Sequence, residues 1–93
     1  MSTIKKIKVY NMESSNGNII PNQFEIQTDE GEYFQSYNCT IVAVIKGKTF
    51  LDKTHWDYSK TTGKYRNIFL DENIKETREK IKSGEYTLID LNN

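Results

Sequence analysis

The sequence predicts an α+β domain: an antiparallel β-sheet of five or six strands with two helices on one face, in the order β-β-β-β-β-α-α-β. Three observations carry that reading. Up to residue 51, apolar residues alternate with polar ones in short runs separated by turn-forming residues, which is the period of half-buried strands. From Trp56 the apolar spacing lengthens to steps of three and four, the period of a helix packed on one side. After residue 72 comes a second helical stretch with a start and a stop signal, and then a last alternating run. Strands grouped together and followed by helices fit helices gathered on one face of an antiparallel sheet.

Ile4–Asn11 is the first strand, with Ile7 and Val9 alternating against Lys6, Lys8 and Tyr10. The following turn centres on Asn16-Gly17. Pro21 lacks an N–H and should end or edge a strand, so the second strand runs over Asn22–Thr28, with Phe24 and Ile26 on one face. Asp29-Glu30-Gly31 is a hairpin loop in which Gly31 supplies positive φ. Pairing Thr28 with Glu32 sets Ile26 opposite Phe34. Glu32–Asn38 is the returning strand, with Tyr33, Gln35 and Tyr37 on its more polar face. Thr40–Ile45, TIVAVI, is the most hydrophobic run and reads as a central strand. Lys46-Gly47-Lys48 turns the chain into Thr49–Leu51, and residues 52–55 connect to the helices.

The stretch around which the chain is organised is WDYSKTTGKYRNIFL, residues 56–70. Asp57 and Ser59 are helix N-cap types, because their side-chain oxygens accept from free N–H groups of the first turn. Tyr58, Thr62, Tyr65 and Phe69 then fall on one stripe at about 100° per residue. Lys60, Lys64 and Asn67 fall opposite. Gly63 is the weak point of such a helix, and Trp56 is placed to fold back on the first turn. Asn73 with Glu76 forms a capping box for the second helix. Ile74, Thr77 and Ile81 make its inner stripe; Glu72, Glu76 and Glu79 form an outer acidic ridge, with Glu76–Lys80 as an i,i+4 pair. Gly84 stops the helix in the left-handed conformation. Glu85–Leu91 is a final strand on the sheet edge.

The composition bounds the function. A chain of 93 residues makes one domain with one modest core. Thirteen basic residues balance thirteen acidic ones, so nothing marks a general nucleic-acid binder. The lone cysteine, Cys39, cannot form an internal disulfide; its position suggests a half-buried, inert thiol. No apolar run reaches the ~20 residues of a membrane span, and MSTIKKIKVY has no apolar signal core, so a soluble intracellular protein is expected. The single histidine, His55, reads as an exposed connector residue. With one His and one Cys a zinc site is not formed from this chain alone, and no phosphate-cradling glycine loop or calcium-loop spacing is present. The chain is therefore expected to be non-enzymatic, with no catalytic residue, no metal ligand and no cofactor.

What remains is a binding surface. Trp56, Tyr58, Tyr65 and Phe69 are core residues on the plainer reading. On the sharper reading Trp56, Tyr58 and Tyr65, with Tyr37, line a recognition site beside the basic residues Lys60, Lys64 and Arg66, since Tyr, Trp and Arg are enriched at binding hot spots.

These residues also carry a resemblance. S-Y-N at residues 36–38, W-D-Y-S-x-T-T-x-K-Y-x-x-x-F-L at residues 56–70 and I-x-x-G-x-Y at residues 81–86 resemble a family of small domains of unknown function carried by phages, prophages and plasmids of Gram-positive bacteria. Gly63 stands where a serine or similar residue is expected. The resemblance assigns no activity and no site residues. It implies a small cytoplasmic accessory protein of a mobile element, one that binds and inhibits a host protein or ribonucleoprotein complex, such as a CRISPR effector or another defence system. Two alternatives stand beside it: a nucleic-acid-binding regulator using the basic and aromatic helix face, and a protein that sequesters a nucleotide or other small ligand among the aromatics. A homodimer through an edge strand, Ile4–Asn11 or Glu85–Leu91, is compatible with all three.

Overall fold

The alternating half of the chain forms five strands: β1 (Ile7–Glu13), β2 (Ile19–Thr28), β3 (Gly31–Ser36), β4 (Cys39–Ile45) and β5 (Lys48–Asp52). Two helices follow, α1 (Lys60–Leu70) and α2 (Ile74–Ser83), and then β6 (Tyr86–Ile89). This is a computed structural model, and residues 6–92 are described; the expected start of the first strand at Ile4 lies outside them. The six strands lie in sequence order. β1 to β5 are an antiparallel meander, whereas β6 joins β5 in parallel. Two neighbouring parallel strands need a crossover connection, and α1 and α2 supply it. The α+β fold and the element order are as expected; the parallel edge makes the sheet mixed.

Turn chemistry sets the register. In the loop after β2 the Thr28 hydroxyl accepts from the N–H groups of Glu30 and Gly31 and donates to the Gly31 carbonyl, each at 3.1 Å. Thr28 is thus spent on the loop, and pairing begins at Gln27 with Glu32. Ile26 then faces Tyr33 and Glu25 faces Phe34, so the expected Ile26–Phe34 pair does not form. A one-residue slip moves a side chain to the other face, which puts Phe34 and Ile26 on opposite sides of the sheet. Gly31 is not at positive φ. It is glycine because a β-carbon there would run into the carbonyl oxygen of Val44 on β4. Lys46 and Gly47 do take positive φ, 52° and 78°, at the β4–β5 turn. β2 continues through Pro21 but is irregular there: Asn22 has φ 65° and the pairing with β1 shifts between Asn11 and Glu13.

Both helices pack on one face. The core gathers Met12, Phe34, Ile41, Val42, Leu51, Tyr65 and Tyr86, with Phe69 and Leu70 of α1 and Ile81 of α2 packed against it. Phe34 and Phe69 stack with ring centroids 5.9 Å apart. α2 begins with the expected capping box, Asn73 accepting from the Glu76 N–H at 2.9 Å while Glu76 accepts from the Asn73 N–H at 3.2 Å. It ends at Gly84 with φ 86°.

The outer acidic ridge is a different object from the one the spacing suggested. Glu72 points inward, its side chain 2% exposed. It accepts from Lys80 Nζ at 2.7 Å, from the Tyr86 hydroxyl at 2.8 Å and from the Thr77 hydroxyl. Lys80 is therefore paired with Glu72 rather than Glu76. Glu72 precedes the cap of α2, so its side chain lies beside the helix, where β6 delivers Tyr86. Burial pushes the Glu72 carboxyl upward, but Lys80, Thr77 and Tyr86 together outweigh this and hold it below the usual carboxylate range. Burial and the neighbouring carboxylate push the Tyr86 phenol up to about 12.

A carboxylate depressed in the folded state stabilises the fold above its unfolded pKa, about 4, and that contribution is lost as pH falls through the folded value. Thermal melts across the acid range are expected to show stability falling below about pH 4, with Glu72→Gln costing about 1–2 kcal/mol at neutral pH and flattening the acid limb. The phenol has the opposite sign. Its contribution is present below pH 10 and vanishes as pH climbs through about 12; an ultraviolet titration should lose that late phase in Tyr86→Phe.

Candidate functional site

The segment between β5 and α1 is a turn rather than the first turn of a helix. Asp52, 1% exposed, closes it. Its carboxylate accepts from the N–H of His55 at 2.8 Å and of Thr54 at 3.2 Å, and meets His55 Nδ1 at 2.7 Å. The other oxygen accepts from the Leu91 N–H at 2.9 Å, tying down the chain after β6. Burial pushes the carboxyl up, yet these donors outweigh it and hold it below its ordinary range. His55 is thus a half-buried member of this turn, not an exposed connector. The helix starts at Lys60, capped by Ser59, whose hydroxyl accepts from the Thr62 N–H at 3.1 Å. Asp57, the other expected cap, is engaged elsewhere.

Asp57 is engaged by Arg66, which is where the structure corrects the sequence reading most. Arg66 is 1% exposed and so does not belong to a solvent-facing basic ridge. One guanidinium nitrogen donates to the Trp56 carbonyl at 2.6 Å and to Asp57 Oδ1 at 3.2 Å; the other donates to Asn67 Oδ1 at 2.9 Å. The guanidinium lies 5.3 Å from the Trp56 ring centroid. Thr62, Tyr65, Arg66 and Phe69 follow one another at steps of three, one and three, so Arg66 shares the inner stripe of α1. The spacing contained this; residue type argued against it.

Beside Arg66, three hydroxyls pin α1 to the sheet. The hydroxyls of Thr62 and Ser36 share a hydrogen bond of 2.9 Å, and Ser59 donates to Thr62 at 3.1 Å. Ser36 and Thr62 are buried, as is Gln23, which pairs with Ser36 across the β2–β3 ladder. Ser36 and Thr62 are 26 residues apart and were not paired by sequence reasoning; the only signal was that each sits in a distinctive motif. Among the motif residues, Ser36 and Thr62 join the helix to β3, while Trp56, Asp57 and Ser59 hold the turn before it against α1.

The pin sets out an exposed corner. Tyr37 and Asn38 form the turn that directly follows Ser36, whose hydroxyl meets Thr62 of α1. Tyr37 is held at φ 55°, a conformation that costs about 1–3 kcal/mol for a non-glycine residue. Its N–H donates to the Asn22 carbonyl and its carbonyl accepts from the Gln35 amide, each at 2.7 Å. The ring is 49% exposed and that of Tyr58 59%. Tyr58 stands edge-on to His55, centroids 5.5 Å apart. Lys60 and Lys64 are exposed, as the stripe predicted, and no acidic residue lies in the first turn of α1.

Of the seven candidate residues, then, Tyr37, Tyr58, Lys60 and Lys64 are exposed near the two ends of the Ser36–Thr62 contact, Trp56 is half-buried under Arg66, and Tyr65 and Arg66 are interior. Surface depressions flank α2 and the Lys6–Asp29 edge, and these are not lined by Trp56, Tyr58 or Tyr65. Among the described residues, no three His, Cys, Asp or Glu side chains group to hold a metal ion, and no helix is long and apolar enough to cross a membrane.

A family of unknown function, DUF8033, matches residues 7–85, and the chain belongs to it. No curated protein and no solved structure matches. The matched span contains the pin, and two substitutions test it. Thr62→Val leaves the Ser36 hydroxyl buried without its partner and should cost about 1–3 kcal/mol, read as a lower melting temperature. Gly63→Ala should not: its β-carbon would sit 3.6–3.8 Å from Arg66 and Asp57, ordinary contact, and the gain in helix propensity is up to about 1 kcal/mol.

Proposed function

We propose that this DUF8033 protein is a non-catalytic binding protein that occupies the surface of a host macromolecular complex. The observation that carries the reading is the corner formed by Tyr37, Tyr58, Lys60 and Lys64: two exposed rings and two cations on a frame held by buried hydrogen bonds. Tyrosine supplies large contact area with little entropy to lose, and a fixed backbone lowers the cost of ordering on binding. In the mobile-element setting implied by the sequence motifs, the partner is a host protein or ribonucleoprotein complex in the bacterial cytoplasm, and the consequence of binding is inhibition, with CRISPR effectors and other defence machines as the first targets to try.

A second reading is favoured by one feature. The α1 N-terminus, Lys60 and Lys64 carry positive charge with no acid in the same turn, which suits an anionic surface, including nucleic acid. Salt separates the two. Binding to an RNA or DNA strand should weaken steeply with salt, and Lys64→Glu should lower that slope; a protein contact centred on the tyrosines should be far less sensitive.

The test is affinity capture from bacterial host lysate with the wild-type chain and with Tyr58→Ala and Lys60→Glu/Lys64→Glu. A partner retained at stoichiometric level by wild type and lost or weakened about tenfold or more by the variants is expected. Recovery of no stoichiometric protein, or a partner indifferent to all these residues, overturns the proposal.

A further inference from the structure

Across β1 to β4 the strands sort their charges to one side of the sheet. Across the ladders Lys8, Gln27, Glu32 and Val44 form one row, and Tyr10, Glu25, Phe34 and Val42 another. These rows lie on the helix side, since Phe34 and Val42 are in the core beneath α1 and Val44 packs against it. The row of opposite parity between them runs Val9, Ile26, Tyr33, Ala43, Phe50 and Thr87 through all six strands. It contains no charged residue and faces away from both helices. On the same side Ile7 is 67% exposed, as Val9 is 57%, and Ile26, Tyr33 and Phe50 are half-buried without belonging to the core cluster. The molecule is 22 Å through its shortest axis, the thickness of one sheet and one helix layer, so among the described residues no second layer covers this face; only its β5 end is closed, where the His55 turn and Leu91 meet Asp52. An antiparallel sheet with one wet face normally turns its polar residues outward. Here most of the strand charges are on the other side, with Lys48 at the rim and the buried Asp52 as the exceptions.

We propose that this face is the interface of a symmetric homodimer, in which a second copy of the chain packs sheet to sheet. Two arguments select that occupant. The middle of the face is uncharged, with the exposed Lys48 at the β4–β5 rim, so placing it against itself sets no like charges together at the centre, while a partner that relies on ion pairs finds little to meet there. Its size also suits: six strands about 4.8 Å apart and some five residues long at about 3.3 Å each cover roughly 500 Å² in plan, which side-chain relief raises toward the ~800 Å² per partner of a stable interface. Aligned sheets pack about 10 Å apart with interleaved side chains, and valine, isoleucine, tyrosine and phenylalanine are suited to that. The proposal is independent of the Tyr37–Lys64 corner. Lys60 and Lys64 lie on the outer side of α1, away from the interface, so the dimer displays two copies of the corner and would engage a repeated target bivalently.

The test is the mass of the full chain by sedimentation equilibrium from about 1 to 500 μM, beside Ile26→Lys and Val9→Lys. Wild type is expected to be a dimer in this range, and a buried unpaired lysine at the interface should raise its dissociation constant at least about a hundredfold. Circular dichroism checks each fold; if Ile26→Lys does not fold, Val9→Lys at its exposed site reads the same contact. A wild-type chain monomeric throughout, or a dimer whose dissociation constant the folded lysine variant leaves unchanged, as pairing along the β1 or β6 edge would give, overturns the proposal. So does assembly beyond two copies.

Discussion

The structure depends on one buried polar contact: the hydrogen bond between Ser36 at the end of β3 and Thr62 in the first full turn of α1. The hydrophobic contacts of α1, through Tyr65 and Phe69, define a stripe but little else, because apolar packing is non-directional. A hydroxyl pair at 2.9 Å is directional. It fixes how far along β3 the helix begins and at what rotation, and so it fixes where Arg66 must go. With Thr62 pinned, Arg66 lies one turn along the same stripe, inside, where an unpaired guanidinium could not persist. The Trp56 carbonyl, Asp57 and Asn67 answer it, and the turn before the helix is shaped by having to present them.

A related device recurs at two other irregular places among the described residues. Asp52 organises the turn after β5 and the segment after β6, and Glu72 ties the link between the helices to α2 and β6. Each is a buried ionic group surrounded by donors, at a point where the backbone leaves regular structure. Paired buried ions add little net stability over apolar packing, but breaking a pair is costly, so they specify one geometry against its neighbours. In a domain with so small a core, the segments between elements need that specification most.

This explains what the sequence made legible. Strand order, the Lys46–Gly47 turn, the Asn73–Glu76 box and the Gly84 stop rest on local chemistry, and local chemistry can be read residue by residue. The readings that failed did so where a side chain took a different role from the one its type suggested. The β2–β3 register turned on Thr28 closing its own loop instead of pairing. Arg66 and Glu72 look like surface residues until Trp56, Asp57, Tyr86 and Lys80 are placed around them. For the candidate corner, Tyr58, Lys60 and Lys64 were visible from the helical period. That the strand end carrying Tyr37 is tied to the same helix was not, since it follows from the Ser36–Thr62 contact.

The parallel pairing of β6 has a consequence for how the chain matures. β5 makes its second ladder only with residues that emerge after both helices. During synthesis β5 is therefore a bare strand edge beside a finished meander, the kind of surface that recruits stray strands. The nascent domain depends on α1 and α2 docking quickly, to bring the last strand round before another chain takes its place.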